Sequence, residues 1–168
     1  VISEISSIFS RSNKSNPQVI VGIGDDAAVV QTDQHSVITT DMAIEGVHFN
    51  RQWSSAYEIG SKITVANLAD VYAMGADPRY LVVALTLTGT EKLSWIKELA
   101  EGIADTAAKS DSVVVGGDLS RAEQIMISMT AVGSSRLHIT RSGARVGDLI
   151  YVSALPGFSR AGFEILTK

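Results

Sequence analysis

Five aspartates stand where the surrounding sequence is apolar or turn-forming. Asp70 lies inside an apolar helical stretch, and the other four follow apolar runs that stop at glycines or threonines. Those four are Asp25, Asp26, Asp41 and Asp118. An unpaired buried charge is very costly, so a carboxylate in such a place requires a cation. Because the chain has no cysteine and three histidines, oxygen donors dominate. This donor set favours Mg²⁺ and therefore indicates phosphate chemistry.

The segment around Asp41 adds oxygen donors and a histidine. Thr39 and Thr40 precede Asp41 at the predicted end of a strand, and threonine hydroxyls bind Mg²⁺ directly or through water. The alternative is that the threonines reflect β-propensity and the aspartate a turn. His48 follows between apolar residues. Its imidazole either binds a ligand or is simply packed or solvated.

The turn at residues 22–27 reads GIGDDA, which formally matches the dinucleotide-binding fingerprint. That fingerprint presents bare N–H groups to a pyrophosphate at the start of a helix. We reject the match, because two carboxylates occupy this turn and the strand-like Val29 and Val30 follow. Asp25 and Asp26 fit a divalent ion that bridges them to a phosphate, and an Asx turn that closes a hairpin is the alternative.

Asp70 is predicted near the centre of one helical stripe at 100° steps. The stripe consists of Ile59, Ile63, Ala66, Asn67, Asp70 and Met74. None of its helical neighbours is basic, so its partner must come from elsewhere in the fold. That partner is a metal ion, a backbone amide or an arginine such as Arg79 or Arg121.

Two further motifs carry phosphate-binding potential. Gly116 and Gly117 precede Asp118, and glycines allow a backbone to approach a ligand closely. Arg141 and Arg145 lie in a predicted turn region. There the guanidinium of an arginine either binds a phosphate or, as is more common, is solvated at the surface. No Walker A motif and no kinase glycine loop with its lysine occurs in the sequence. Phosphoryl transfer here would therefore lie outside the P-loop and protein-kinase designs.

Hydrophobic periodicity predicts an α+β fold. Helices are predicted at residues 1–9, 56–74, 93–109 and from 159 onward, and strands at 19–21, 27–31, 36–40, 81–87, 113–115, 125–132, 137–140 and 149–152. Two main helices are available to cover one face of a mixed β-sheet. The other face must be polar or pack on another sheet, and we expect a symmetric homodimer to supply that sheet.

Composition excludes several classes of protein. The 168 residues are 45% hydrophobic and 19% charged, which predicts a folded globular chain. A net charge of −4 without a cluster of basic residues argues against nucleic-acid binding. No apolar run approaches the length of a membrane span, and the absence of cysteine fits a cytoplasmic protein. We expect one domain at residues 1–155 and, at 156–168, the start of a truncated second domain.

Taken together, the motifs resemble the thiamine-monophosphate kinase family, within the aminoimidazole ribonucleotide synthetase superfamily. The matching strings are GIGDDAA at 22–28, TD at 40–41, EGVHF at 45–49, NLAD at 67–70, AMGADP at 73–78, GGD at 116–118 and TRSG at 140–143. They occur in the family's order and cover nearly the whole chain.

The resemblance implies an enzyme of thiamine biosynthesis, a transferase that phosphorylates thiamine monophosphate to thiamine diphosphate with ATP as co-substrate. It implies direct in-line transfer without a covalent intermediate, so no side chain is assigned as a catalytic nucleophile. It assigns Mg²⁺ binding to Asp26, Thr39, Thr40, Asp41, Asp70 and Asp118. It assigns ATP binding to Gly117, Asp118 and Arg141, and substrate binding to His48.

The resemblance also implies a homodimer, and a second domain that contributes further contacts, so this chain alone is expected to be inactive. Two other functions remain open. The chain could be a sister ATP-using enzyme of the superfamily, against which the string at 45–49 argues. It could also be a non-catalytic dimerisation or metal-binding module.

Overall fold

The structure is a computed structural model that describes residues 1–13, 16–21, 23, 29–31, 35–152, 154 and 156–167. Ten elements follow in chain order: α1 (Ile2–Asn13), β1 (Val19–Val21), β2 (Val29–Val30), β3 (His35–Ile44), α2 (Ala56–Ala73), β4 (Asp77–Leu87), α3 (Leu93–Ala108), β5 (Val113–Arg121), β6 (Met126–Ser135) and α4 (Phe158–Leu166). Among these helices, none is long and apolar enough to cross a membrane.

A mixed four-stranded sheet, in the order β3-β6-β4-β5, forms the centre of the molecule. β6 pairs antiparallel with both β3 and β4. β4 and β5 pair in parallel through α3, as a parallel connection requires a crossover. β3 and β5 are thus the two edge strands, about 14 Å apart at the usual strand spacing. β1 and β2 form a separate antiparallel pair.

One face of the sheet is covered by α2 and α3, and we call it the covered face. Leu81, Val83, Met129 and Ala131 point into its core, where they are buried with apolar residues of both helices. A Cβ at Gly133 would lie 2.3 Å from Val71 Cγ1, which shows how closely α2 approaches β6. Helical residues bury the apolar side of the sheet, and this burial is the main stabilising term.

The two main helices pack closely on one another. A Cβ at Gly60 would lie 2.3 Å from the carbonyl oxygen of Leu99, and one at Gly102 would lie 2.2 Å from that of Tyr57. Ser55 starts α2 with a capping box, because its hydroxyl accepts from the Glu58 amide while the Glu58 carboxylate accepts from the Ser55 amide. Those hydrogen bonds from Ser55 lower the pKa of Glu58.

The opposite face, which we call the open face, is covered only in part by described residues. At one end, the β1–β2 pair packs on Tyr80, Val113 and Val115. Elsewhere Ile38 is 68% exposed and Met42 46%. The predicted fold class is therefore confirmed, with two main helices on one face of a mixed sheet. Strands near β1 and β2 were also predicted, but their position on the other face of the sheet was not.

A β-bulge interrupts the pairing of β4 with β5. Leu81 pairs with Val114 but Val82 pairs with Gly116, so Val115 is an extra residue on β5. Beyond the bulge, Val83 pairs with Gly117 and Ala84 with Asp118.

Several sequence-based predictions of elements were wrong. β3 continues to Ile44 and β5 to Arg121, so neither Asp41 nor Asp118 ends a strand. Residues 137–140 and 149–152 are not strands. α1 runs on to Asn13 instead of ending at residue 9. For the strands, pairing with a neighbour, or its absence, overrode the local apolar pattern.

Candidate active site along an edge strand

The edge strand β3 and helix α2 lie side by side and share two hydrogen bonds. The Thr39 hydroxyl donates to Asp70 Oδ2 at 3.1 Å, and the Asp41 amide donates to Asn67 Oδ1 at 3.1 Å. Thr39 and Asp41 are two residues apart on β3, so both side chains lie on the covered face. Asn67 and Asp70 are three residues apart and lie on one side of α2. The structure therefore brings together Thr39, Asp41 and Asp70.

Asn67 holds the helix against this strand. It is fully buried, and its amide nitrogen donates to the Ile63 carbonyl at 3.0 Å while its oxygen accepts from Asp41. Both ends of the side-chain amide are thus satisfied, as burial requires. The buried side of α2 therefore centres on Asn67, whereas Asp70 is exposed. The expectation that Asp70 is buried was therefore wrong. Arg79, one of the alternative partners considered for it, lies 3.9 Å from Asp77 instead.

Thr40 differs from its two neighbours. It points to the open face, where its hydroxyl donates to the Met129 carbonyl at 3.1 Å and accepts from Thr130 at 3.3 Å. Its side chain is therefore on the other side of the strand from Asp41 and Asp70. Only its place at the edge of the sheet keeps it near them.

His48 lies in the turn that follows β3. Its Nδ1 accepts the Ile44 amide at 3.1 Å, so Nε2 carries the ring proton and is presented as a donor. Gly46 adopts φ +80°, a conformation that favours glycine, and its amide donates to the Phe49 carbonyl at 2.8 Å. Gly46 thus turns the chain so that His48 comes back beside β3.

Lys62 on α2 contacts the same turn. Its Nζ donates to the His48 carbonyl at 2.6 Å. Lys62, His48 and Asp41 all line one cavity of about 230 Å³ between β3, the turn and α2. Lys62 and Asp70 are eight residues apart, which is about 12 Å along a helix. We call the following residues the β3 row: Thr39, Asp41, His48, Lys62, Asn67 and Asp70.

A charge network with one buried member anchors the loop that carries His48. Arg51 Nε donates to Glu45 Oε1 at 2.5 Å, its guanidinium lies 3.8 Å from Glu91, and it stacks over the Trp95 ring at 5.7 Å. The Glu91 side chain is 1% exposed. Burial alone would raise the pKa of Glu91, but hydrogen bonds from Thr88 and the Gly89 amide, with the charge of Arg51, outweigh it and lower that pKa.

The acidic end of the β3 row fits a magnesium ion. Asp41, Asp70 and Thr39 offer hard oxygen donors, and Mg²⁺ is usually held by one or two carboxylates together with phosphates. Within the part of the chain that the structure describes, no lysine, arginine or histidine forms an ion pair with Asp41 or Asp70. The same residues contain no group of three acids or histidines able to hold a metal by themselves. Ligand phosphates would have to complete such a site.

Gly117 and Asp118 lie on the other edge strand, β5. The Asp118 side chain shares the open face with Ser120, whose hydroxyl donates to Asp118 Oδ2 at 3.0 Å. A Cβ at Gly117 would lie 2.0 Å from the Val83 carbonyl oxygen, so the close approach that requires this glycine is to β4. An apolar cavity lined by α1, α3 and residues 116–119 lies beside them. The sheet therefore separates Asp118 from Asp41 in both edge and face.

Arg141 is exposed in the segment after β6. The amide of Ile139, two residues earlier, donates to the Met74 carbonyl at 2.9 Å, so this segment begins at the carboxyl end of α2. Among the described residues, Arg141 forms no ion pair. The predicted residues Asp25 and Asp26 lie outside the described residues.

Lys62 was missed by the sequence analysis. A lone lysine on an apolar helix is usually solvated, and its distance of 14 residues from His48 gives no periodic signal. Only the approach of α2 to the turn after β3 brings the two together.

The order of the sheet, the two covering helices and the polar edge strand define an α+β domain of the AIR synthase type. The chain belongs to the family of AIR synthase related proteins, whose N-terminal domain matches residues 24–135.

Individual relatives are named more narrowly. The chain is 37% identical over 169 residues to the thiamine-monophosphate kinase of Escherichia coli K12, covering 96% of this chain and 50% of that protein. It is 34% identical over 167 residues to the enzyme of the same name from Buchnera aphidicola, covering 98% of this chain and 51% of the relative. The chain thus spans about half the length of the curated relatives it matches.

Solved structures give the same result. The thiamine monophosphate kinase of Aquifex aeolicus superposes with a TM-score of 0.76 at 31% identity, covering 96% of this chain and 51% of that one. AaThiL complexed with AMPPCP and TMP superposes with a TM-score of 0.77 at 33% identity, covering 96% and 50%. The hydrogenase maturation protein HypE in complex with ATP shares the fold, with a TM-score of 0.63 at 23% identity over 79% of this chain and 39% of that one.

Proposed function

We propose that this chain is the amino-terminal part of an enzyme that transfers the γ-phosphoryl group of ATP to thiamine monophosphate and releases thiamine diphosphate. The observation that carries the proposal is the β3 row, where two carboxylates that form no ion pair with any described residue lie beside a histidine and a lysine. Relatives named thiamine-monophosphate kinase over nearly the whole chain support it. In this proposal residues 1–155 form the ATP- and magnesium-binding domain and residues 156–168 begin a second domain.

In this proposal the residues of the site bind the metal ions and the substrates and position them for reaction. Asp26, Thr39, Thr40, Asp41, Asp70 and Asp118 would hold Mg²⁺, which when bound supplies charge neutralisation and alignment of the triphosphate. His48 donates from Nε2 to the substrate, while Gly117, Asp118 and Arg141 contact ATP. Transfer is direct and in line, because a loose phosphoryl transition state needs placement and electrostatic support instead of a protein nucleophile.

A homodimer through the open face would explain the position of Asp118. Within one chain, Asp118 and Asp41 lie on opposite faces and on edge strands about 14 Å apart, too far to share one ion. A second copy on the open face would cover Ile38, Met42 and Val82 and bring its own β5 edge to the β3 edge of this copy. Its Asp118 would then join the ligand set from the open face, on the side of the strand where Thr40 lies. We place the enzyme in the cytoplasm.

The decisive experiment measures ATP-dependent formation of thiamine diphosphate by the complete gene product, with Asp41→Asn as the matched variant. We expect wild-type turnover and a loss of at least about a hundredfold in the variant, as expected when a metal-holding carboxylate is removed. Normal activity of Asp41→Asn would refute the metal assignment. Magnesium-dependent ATP binding without product would favour a sister ATP-using enzyme, and the absence of nucleotide binding would favour a non-catalytic module.

A further inference from the structure

Lys62 forms no ion pair within the part of the chain that the structure describes. Its Nζ donates to the His48 carbonyl, and lysine has three N–H donors. Among the residues that the structure describes, no carboxylate lies within ion-pair distance of this amine. Glu58, one helical turn earlier, is engaged by Ser55 in the capping box. A charged amine is not required merely to hold a carbonyl group, so the positive charge calls for another explanation.

The surroundings of Lys62 indicate an anionic ligand. Lys62 and His48 both line one cavity, and the Nδ1 of His48 is occupied by the Ile44 amide, which leaves its Nε2–H to donate. Besides Asp41, the remaining lining residues are apolar: Met42, Ala43, Phe49, Ile59, Ile63 and Ala66. A charge-assisted hydrogen bond is strengthened beside apolar groups, where water competes less.

The β3 row also separates charge along its length. Asp70 lies at one end and Lys62 with His48 at the other, about 12 Å apart along α2, and Asp41 lies between them beside Asn67, in the wall of the cavity that Lys62 and His48 also line. A phosphate bound only through metal ions needs the acidic end. A phosphate bound by the protein directly needs donors, which the structure places at the basic end. The row therefore provides for two kinds of phosphate contact.

We propose that Lys62 is a substrate-binding residue that determines specificity for a phosphorylated acceptor. Its ammonium group and the Nε2–H of His48 hold the monophosphate of the acceptor at the basic end of the β3 row. Asp41 and Asp70 remain available for magnesium and the nucleotide phosphates. This inference rests on the proposed function and adds to it the group that recognises the acceptor's phosphate. No bond to Lys62 forms or breaks, since its role is to bind and orient.

The first test compares Michaelis constants in the complete gene product. We expect Lys62→Met to raise KM for thiamine monophosphate about tenfold to a hundredfold while KM for ATP changes less than about twofold, since one charge-assisted hydrogen bond is lost. Lys62→Arg keeps the charge and should recover most of the loss. Lys109→Met, on an exposed lysine at the end of α3, is the matched control and should behave as wild type. An unchanged KM for thiamine monophosphate, or an equal rise in both constants, overturns the inference.

The second test is independent of turnover. Inorganic phosphate is titrated into the protein while the ring nitrogens of His48 are followed by ¹H–¹⁵N NMR. We expect a saturable shift of Nε2 in wild type and Lys62→Arg, and no such shift in Lys62→Met. If Lys62→Met does not fold, the wild-type titration still decides, because an unresponsive His48 overturns the inference.

The two tests separate the two proposals. A phosphate response that needs Lys62, in a protein that forms no thiamine diphosphate, retains the phosphate site and refutes the kinase assignment. Kinase activity with an unchanged KM for thiamine monophosphate in Lys62→Met retains the kinase assignment and refutes the phosphate site at Lys62.

Discussion

The two edges of one sheet carry the same kind of motif in very different settings. At the β3 edge, Asp70 accepts from Thr39 and the Asp41 amide donates to Asn67, and His48 and Lys62 follow along the same side of the helix. At the β5 edge, Asp118 meets only Ser120 among its described side-chain hydrogen bonds, on the open face. In sequence both are aspartates after glycines or threonines. The comparison shows that a ligand set is determined by which edge and which face each acid occupies.

Mixing two inactive variants is the strongest test of that comparison. If the two edges form one site only between copies, Asp41→Asn and Asp118→Asn should each be inactive alone. Half of the randomly mixed dimers contain one copy of each variant. In such a dimer one site carries both substitutions and the other carries both wild-type aspartates, so about a quarter of wild-type activity should return. Thiamine diphosphate formation after co-refolding measures this. No recovery in mixtures that form dimers by light scattering would contradict a site shared between copies.

Stability measurements distinguish the glycines of the β5 edge. Gly117→Ala should cost about 1–3 kcal/mol of unfolding free energy, because its Cβ would lie 2.0 Å from the Val83 carbonyl oxygen and β4 would have to shift. Gly116→Ala is the matched control, since a Cβ there meets nothing within 4 Å. Urea unfolding gives both values. Equal losses would show that Gly117 is not required for strand packing.

The pH dependence of stability tests the anchor of the His48 loop. The pKa of Glu91 is lowered in the folded state, so its contribution is present above the unfolded pKa of about 4.3 and is lost as the pH falls through the lower folded value. Glu91→Gln should therefore flatten the fall of unfolding free energy between about pH 5 and pH 3. Glu123 is exposed, so Glu123→Gln should give the same dependence of unfolding free energy on pH as the wild type. Parallel curves for wild type and Glu91→Gln would exclude this role.

The smallest expected effects concern the two hydroxyls that donate to acids. Thr39→Val removes the donor to Asp70, and Ser120→Ala removes the donor to Asp118. Both bonds are exposed, so each change should alter unfolding free energy by less than about 0.5 kcal/mol. Only Thr39→Val should raise the Mg²⁺ concentration that half-saturates turnover, because Thr39 is itself a proposed ligand. A larger rise of this Mg²⁺ concentration in Ser120→Ala than in Thr39→Val would show that the β5 edge contributes more to metal binding than the β3 edge, contrary to our expectation.

The sequence predicted the helices well and the strand ends poorly. α2 and α3 differ from prediction by one residue at their carboxyl ends, because a long apolar helical period is a local signal. The ends of β3 and β5 depend on pairing with β6 and β4, which is not local. An apolar run alone therefore did not separate strands from the irregular residues 137–140.

The candidate site was predicted in composition but not in arrangement. Thr39, Asp41 and His48 lie close together in sequence and stay close in the fold, and Asp70 joins them because α2 runs back along β3. The faces of Thr40 and Asp118, however, follow from register. Lys62 carries no motif at all. The sequence names the chemistry of the site, and pairing between elements decides its geometry.

The extra residue Val115 sets the parity of everything that follows it on β5. If Val115 paired with Val82 instead of forming the bulge, Asp118 would fall opposite Leu85, which is 9% exposed in the apolar core, instead of opposite Ala84. A regular strand with the same residues would thus press a carboxylate into the interior and turn Leu119 outward, whereas deleting Val115 would leave Asp118 opposite Ala84. The bulge is therefore what allows a strand with one residue more than its neighbour to keep its acid out of the core.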